Sequence, residues 1–322
     1  MIKKIVIILF GILIWFLPHP PEISPDAWHL FAIFFTTIIS IVIGAFNILV
    51  ASVFGMVLAV ITGTIDPGQA FSGFSNDIVL LIVVAFLIAK AVVKSGLGNR
   101  IALLMIRRFG KTTLGLGYSL IATDMIIAPA FPSNTARSGL LFPIIYSISM
   151  VNGSDPEKGT EKKLGSFLMF ASMFGIGLSS AMWLTAMAAN PAGAAIAESY
   201  GVNIGFGTWI LASFVPTIIA AIVIPWVLYK IYPPQMKLTP NAPIHALEEL
   251  KKMGKMSRDE IITAVVFAFL VIFWALSDVL NINKTIIAFL GLGILLVTNV
   301  FKVKEIKKEG EALTTMILFS IL

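Results

Sequence analysis

Long apolar segments alternate with short polar connections along this chain. A helix needs about 20 mainly apolar residues to cross the hydrocarbon core of a bilayer. Eight segments approach that length and are predicted to be membrane-spanning helices: residues 2–17, 27–46, 48–65, 78–93, 164–188, 206–229, 261–277 and 284–301. A ninth is predicted to begin at Leu313. The pattern therefore predicts an all-α polytopic membrane protein.

One further apolar region, residues 113–151, is too long for a single helix and contains Pro129, Pro132 and Ser133 near its middle. Lysine and arginine in short loops mark the cytoplasmic side of a membrane protein. The loops before and after this region are both rich in these residues, as is the N-terminus. We therefore predict that the region is a re-entrant helical hairpin, which enters and leaves on the cytoplasmic side, and that the N-terminus is cytoplasmic.

Composition agrees with this picture and excludes several classes of protein. Hydrophobic residues make up 58% of the chain and charged residues 12%, about half the charged fraction of a soluble domain. Cysteine is absent, which excludes disulfides, thiolate metal sites and cysteine nucleophiles. The net charge is +6, but the cations lie between apolar segments, so nucleic-acid binding is not indicated. The predicted spans contain no pattern typical of an enzyme or a metal site.

An internal repeat is predicted from hydropathy. Residues 26–87 and 259–322 share an apolar pattern at an offset of roughly 235 residues, with low residue identity. Because the hairpin returns to its own side, the two units have opposite orientations, which gives the inverted repeat common in alternating-access transporters. The second repeat is expected to be truncated, with about the last third of the fold absent, because its own hairpin would fall beyond the last residue. The predicted parts are an N-terminal helix (residues 1–25), a first repeat (26–229), a cytoplasmic linker (230–260) with a surface amphipathic helix (246–259), and the start of the second repeat (261–322).

The middle of the predicted hairpin carries groups suited to an anion. Pro132 disrupts the preceding helix because it lacks a backbone donor, and Ser133 and Asn134 are good N-cap residues for a second helix. The N-terminus of that helix would present free N–H groups and a positive dipole end to a carboxylate or phosphate. The Ser133 and Thr135 hydroxyls and the Asn134 amide add directional hydrogen bonds. A helix cap at an ordinary loop is the alternative.

These residues also carry a family resemblance. Ser133-Asn134-Thr135 resembles the SNT signature of the divalent anion/sodium symporter family, and residues 122–139 resemble its branch of plastid 2-oxoglutarate/malate translocators and bacterial citrate/succinate antiporters. The resemblance runs along the whole chain. It implies secondary transport of di- or tricarboxylate anions by an elevator-like motion, with the anion held between two SNT tips. It also implies a homodimer in a bacterial inner membrane. No second SNT occurs in this sequence.

One departure from the family pattern bears on the coupling ion. Sodium-coupled members have a serine four residues before the SNT serine as part of a sodium site, whereas this sequence has Pro129. Arg137 is expected to supply fixed positive charge where sodium would otherwise lie. We therefore favour anion exchange without a cofactor over sodium-coupled symport. A non-transporting membrane receptor or fragment is the alternative from a different class.

The roles of Arg137 and Asp124 are left open by the sequence. Arg137 either belongs to the substrate-binding set, with Pro132, Ser133, Asn134 and Thr135, or lies at the cytoplasmic mouth and steers anions. Asp124 is a candidate charge partner for Arg137. Their positions, nine residues before Ser133 and four after it, predict different depths. A structural hydrogen bond is therefore the alternative for Asp124.

The predicted span 164–188 is interrupted by small residues. Its segment 175–181 reads Gly-Ile-Gly-Leu-Ser-Ser-Ala, which indicates either an unwound segment or a close helix contact. The family resemblance implies an unwound loop that faces the first hairpin tip, although the usual Gly-Thr-Pro elements are replaced. The residues expected to face the tip are Ser179, Ser180, Thr185 and Asn190.

Overall fold

The computed structural model describes residues 2–306 together with residues 310, 312, 314, 316 and 317. Regular structure in these residues is helical, apart from an isolated bridge between Thr112 and Leu238. Within them, six helices are long and apolar enough to cross a membrane. The prediction of an all-α polytopic membrane protein is therefore confirmed. The predicted start of a ninth span at Leu313 lies outside the described residues.

The helices are labelled in chain order. They are α1 (Ile2–Phe16), α2 (Pro25–Val42), α3 (Ile48–Ile61), α4 (Pro67–Ser72), α5 (Asp77–Ser95), α6 (Leu97–Phe109), α7 (Thr113–Ile127), α8 (Asn134–Val151), α9 (Gly165–Met182), α10 (Ala189–Ser199), α11 (Phe206–Ile231), α12 (Asn241–Met253), α13 (Arg258–Leu280), α14 (Lys284–Val297) and α15 (Val303–Ile306).

Each of the eight predicted spans contains a helix, and four of these helices (α2, α3, α9 and α14) end at least four residues earlier than hydropathy suggests. α3 ends at Ile61 because Thr62 caps it and Gly63 then adopts a positive φ of 71°. α14 ends in the same way at Val297, because Thr298 caps it and Asn299 then adopts a φ of 61°. The apolar residues beyond each cap belong to the turn, so hydropathy alone overestimates the helix length.

The structure also contains helices in segments that the sequence assigned to connections. Residues 97–109, whose arginines marked a cytoplasmic loop, fold as α6, with one apolar side buried and Arg107 and Arg108 exposed. The helix was missed because a charged amphipathic segment has too little hydropathy to register as a span. The linker helix α12 lies at 241–253 rather than 246–259, because Gly254 adopts a positive φ and Ser257 begins α13 with a capping box.

The described chain forms two compact units, and the first consists of the residues up to Val83 together with the described residues after position 308. Its helices approach closely at two glycines. A Cβ on Gly11 would lie 2.8 Å from the side chain of Thr36, and a Cβ on Gly55 would lie 2.7 Å from that of Thr37. These glycines therefore let α1 and α3 pack tightly on α2, as small residues do in membrane helices.

The second unit begins at Val84 and is built around α9. Helices α7, α8 and α11 all pack on α9. The contact with α7 is closest at Gly175, where an added Cβ would lie 2.7 Å from Cγ1 of Ile121. Gly117 of α7 makes a second close approach, to the ring of Phe167. Both arms of the predicted hairpin are thus held against one central helix.

The two ends of the region 113–151 lie beside one another in this unit. The backbone N–H of Thr113, at the start, donates to the carbonyl of Lys237 at 3.1 Å. The backbone N–H of Met236 donates to the carbonyl of Lys163, after the end of the region, at 3.0 Å. One short linker segment therefore joins the start and the end, as a hairpin requires.

Candidate functional site

The hairpin tip lies between α7 and α8. After Ile127 the chain makes a 3-10 turn at Ala128–Ala130, and it is irregular from Phe131 to Ser133. Pro129 fits the turn because a proline near its start needs no hydrogen-bond donor. The chain therefore reverses direction at the prolines.

The first turn of α8 presents backbone donors. The Ser133 Oγ is the N-cap and accepts from the N–H of Ala136 at 3.3 Å, and the Ser133 carbonyl accepts from the N–H of Arg137 at 3.2 Å. Within the described residues, the N–H groups of Asn134 and Thr135 have no partner. Thr135 is exposed, and Ser133 and Asn134 are partly exposed. Such a helix N-terminus can accept an anion.

Arg137 lies beneath the tip and is fully buried. Its Nη1 donates to Asp124 Oδ2 at 3.0 Å, and its guanidinium also bonds the hydroxyls of Ser179 and Ser180. Longer bonds of 3.4 Å reach the carbonyls of Ile176 and Ala186. The alternative that Arg137 faces the cytoplasmic mouth is therefore wrong, because its charge is enclosed by polar groups of three neighbouring elements.

The structure also answers the question of depth for Asp124. This residue lies three positions before the end of α7 at Ile127, and Arg137 lies three positions after the start of α8 at Asn134. The residues between the two helices are not α-helical, so they add less length than a helix would. Asp124 and Arg137 therefore lie at the same depth, although their distances from Ser133 in the sequence differ. The Ser179 hydroxyl also donates to Asp124 Oδ2. Asp124 and Arg137 thus form a buried ion pair, supported by a serine of α9.

The same cluster fixes the orientation of the Asn134 amide. Its Oδ1 accepts from Arg137 Nη2 at 2.7 Å and from the Ser180 hydroxyl at 2.6 Å. Because Oδ1 faces inward, Nδ2 is the group left for other contacts, and it has no partner among the described residues. The arginine therefore turns a residue with two possible orientations into a directed donor at the partly exposed tip.

The broken helix differs in position from the prediction. α9 continues through residues 175–181 and ends at Met182, so the predicted unwinding of that segment is wrong. Its Gly175 instead serves the close contact with α7 described above. The break follows at Trp183 and Met187, which have extended backbone on either side of a 3-10 turn at Leu184–Ala186. α10 begins directly afterwards.

The hairpin tip packs against this break. The Thr185 hydroxyl donates to the carbonyl of Pro129 at 2.8 Å, and the backbone N–H of Ala188 donates to the carbonyl of Pro132 at 3.1 Å. Pro132 and Thr185 are both buried. These two residues therefore join the tip to the break and do not present side-chain donors at the surface.

The carbonyls freed at the end of α9 receive side-chain donors. Asn190 Nδ2 donates to the carbonyls of Ser180 at 2.7 Å and Trp183 at 3.1 Å. The indole of Trp209 donates to Ala181 at 3.0 Å, and the Ser213 hydroxyl to Met182 at 2.8 Å. The sequence did not indicate Trp209 or Ser213 as part of the site. For Trp209 the reason is that a Trp near a span end usually indicates an interface anchor.

Taken together, the structure separates the predicted site residues into two layers. The surface layer consists of Ser133, Asn134 and Thr135 at the tip. The buried layer consists of Arg137, Asp124, Ser179 and Ser180, with Thr185 and Pro132 at the adjoining break, where Asn190 is partly exposed. A small anion at the tip would therefore meet N–H groups, hydroxyls and an amide, with the buried ion pair of Arg137 and Asp124 behind them.

Comparison with known proteins finds relatives that match most of this chain. The chain is 41% identical to a protein named putative malate transporter YflS of Bacillus subtilis, over 100% of this chain and 68% of that protein. It is 41% identical to dicarboxylate transporter 1, chloroplastic, of Spinacia oleracea, over 98% of this chain and 56% of that protein. It is 34% identical to inner membrane protein YbhI of Escherichia coli, over 98% of this chain and 68% of that protein.

The chain spans a little over half to about two thirds of the length of these curated relatives. The family model for the sodium:sulfate symporter transmembrane region matches residues 1–322. Members of this family are transporters rather than enzymes. From the whole-length match and these identities, the chain belongs to the sodium:sulfate symporter transmembrane family, the divalent anion/sodium symporters.

Proposed function

We propose that this chain carries one half of the binding site of a transporter for dicarboxylate anions in a bacterial inner membrane. The observation that carries the proposal is the hairpin tip, in which unpaired N–H groups of α8 and the Asn134 amide lie above a buried arginine. The names of the relatives support the substrate class, since they include a malate and a dicarboxylate transporter.

The tip would recognise a carboxylate by directed donors. The N–H groups of Asn134 and Thr135 supply two of them, and the amide of Asn134 supplies a third, held in place by Arg137 and Ser180. The hydroxyls of Ser133 and Thr135 complete the set. A dicarboxylate has a second carboxylate, for which the second SNT tip expected from the family resemblance would be the natural partner.

Arg137 is the basis for proposing exchange rather than sodium symport. Its Nη2 contacts four oxygen atoms: Asn134 Oδ1, Ser180 Oγ and the carbonyls of Ile176 and Ala186. Carbonyl, amide and hydroxyl oxygens are the ligands that a hard cation prefers. A guanidinium already occupies this cluster of oxygens and is balanced by Asp124, so these oxygens are not free to bind a sodium ion. Sodium-coupled symport is the second candidate, since sodium is part of the family's name.

Matched helix caps support the predicted repeat. α3 and α14 both have 14 residues, both begin after an asparagine cap and both end at a threonine cap. Asn47 accepts from the N–H of Leu49 at 3.0 Å, and Asn283 accepts from that of Thr285 at 2.8 Å. The caps align at an offset of 236, as 283 minus 47 and 298 minus 62 both give. A cytoplasmic N-terminus, an inverted second repeat and a homodimer remain parts of the proposal.

The test of the site is uptake of labelled dicarboxylates into proteoliposomes that contain the full-length protein. The change Asn134→Ala is expected to lower uptake by about 10- to 100-fold, since it removes a donor to a charged carboxylate and also a partner of Arg137. The matched control is Asn203→Ala, which truncates an exposed loop asparagine. Equal uptake by the Asn134→Ala and control proteins would reject the site and favour a non-transporting membrane protein.

A second measurement separates exchange from symport. Liposomes loaded with unlabelled dicarboxylate are expected to take up labelled dicarboxylate in sodium-free buffer, whereas empty liposomes are not. Uptake that needs external sodium, and that does not depend on internal dicarboxylate, would contradict the proposed role of Arg137 and establish symport.

A further inference from the structure

We propose that the corner between α6 and α7, together with the linker that crosses it, binds the headgroups of anionic phospholipids. Four exposed cations define this basic corner: Arg107, Arg108, Lys111 and Lys237. The corner is separate from the hairpin tip, and the inference does not depend on the transported substrate.

The fold brings these cations together from distant parts of the sequence. The N–H of Thr239 donates to the carbonyl of Lys111 at 2.9 Å, and its hydroxyl donates to the carbonyl of Gly110 at 2.8 Å. The bridge between Thr112 and Leu238 continues this pairing. Lys237 is therefore held beside the residues that follow α6.

The charges of the basic corner are not neutralised by the protein. In the part of the chain that the structure describes, none of the four cations forms an ion pair with an acidic side chain. Neighbouring cations do so: Arg100 pairs with Glu260 at 2.6 Å, and Lys94 pairs with Glu305 at 2.8 Å. Four clustered positive charges without acidic partners favour an anionic ligand from outside the chain.

Exposed apolar side chains accompany these cations and indicate a lipid surface. Leu104, Phe109 and Leu238 are 45%, 52% and 68% exposed. On α6, Leu104 lies on the same face as Arg107 and Arg108, at the spacing of three and four residues that aligns helix neighbours. Apolar groups that can enter the acyl boundary, beside cations at headgroup level, are typical of an interfacial helix. A soluble anion or a nucleic acid would gain nothing from these apolar groups.

Native mass spectrometry of the full-length protein in detergent tests the inference, with equal amounts of phosphatidylglycerol and phosphatidylcholine added. The wild type is expected to retain phosphatidylglycerol preferentially. Each cation near an anionic surface contributes about fivefold in affinity, so R107Q/R108Q is expected to weaken phosphatidylglycerol binding by about 25-fold. The charge-conserving R107K/R108K is expected to retain it.

The matched control removes two exposed lysines from elsewhere, in the variant K251Q/K304Q. It has the same net charge as R107Q/R108Q and is expected to change binding by less than about twofold. If R107Q/R108Q is not monodisperse, K111Q/K237Q takes its place with the same expectation. Unchanged binding in the corner variant, or an equal loss in the control, would overturn the inference. Displacement of the lipid by millimolar inorganic phosphate would also overturn it, because the ligand would then be a soluble anion.

Discussion

The buried pair of Asp124 and Arg137 gives the sharpest test of the structure. The change Asp124→Asn keeps the shape of the side chain and removes its charge, so that a fully buried guanidinium loses its counter-charge. Breaking a buried pair in this way typically costs about 3–5 kcal/mol. We therefore expect Asp124→Asn to lower the free energy of unfolding by that amount, a large fraction of the stability of a typical protein.

The change Arg137→Gln is expected to cost at least as much. It leaves Asp124 unpaired, and it also removes the donors that reach Asn134 and Ser180. The double variant Asp124→Asn with Arg137→Gln should be destabilised by several kcal/mol less than the sum of the two single variants, because neither charge is then left alone in the interior. A coupling energy of about 3 kcal/mol is expected from the double-mutant cycle.

The assay is reversible unfolding of the full-length protein in mixed detergent and SDS micelles, followed by tryptophan fluorescence. Trp183 is a suitable reporter, since its indole donates to the carbonyl of Met125 in α7 at 2.9 Å. The control is Asp26→Asn, the same change at an exposed residue, and it should alter stability by less than about 0.5 kcal/mol. A cost below about 1 kcal/mol for Asp124→Asn, or additive effects of the two changes, would show that the pair does not form.

Two further predictions concern packing and pH. Gly175→Ala should destabilise the protein by about 1–3 kcal/mol, because its Cβ would lie 2.7 Å from Ile121, whereas Gly177→Ala, with open space around it, should not. Equal unfolding midpoints for these two variants would contradict the close contact. Lys94 donates a hydrogen bond that lowers the pKa of the Glu305 carboxyl. The stabilisation from Glu305 should therefore be present above the unfolded pKa of about 4.3 and be lost as the pH falls below it. Because Lys94 is partly exposed, the free energy of unfolding of the wild type should exceed that of Glu305→Gln by less than about 1 kcal/mol at pH 7. This difference should vanish in acid. A difference that grows as the pH falls would contradict the prediction.

The helices of this fold were predictable because a bilayer imposes a simple rule on the sequence. A span must be long and apolar, so hydropathy is enough to locate it. Each of the eight spans predicted in this way contains a helix in the structure. The rule does not apply to helices such as α6 and α10, which were missed. These helices bury only one face against the protein. Hydropathy averaged over a whole span does not detect such a one-sided pattern.

The break after α9 could not be located from sequence for a different reason. Gly175 and Gly177 suggest an unwound segment, yet the helix continues through both, and Gly175 makes a tertiary contact instead. The residues at the actual break, Trp183 and Met187, carry no helix-breaking signal. The break is stable because distant side chains, Trp209 among them, satisfy the carbonyls at the end of α9. Those partners are brought there by the fold.

The buried cluster also limits how the proposed transporter can move. Asp124 lies on α7, Arg137 on α8 and Ser179 on α9, and the carbonyl of Ala186 adds the turn at the break. Separating any of these elements would leave a charge or a strong donor unpaired in the interior, at a cost of several kcal/mol. A hinge between the tip and the break would have to meet that cost in every transport cycle. We therefore infer that the two arms, α9 and the break move as one body, so that access to the tip changes through motion against other parts of the protein.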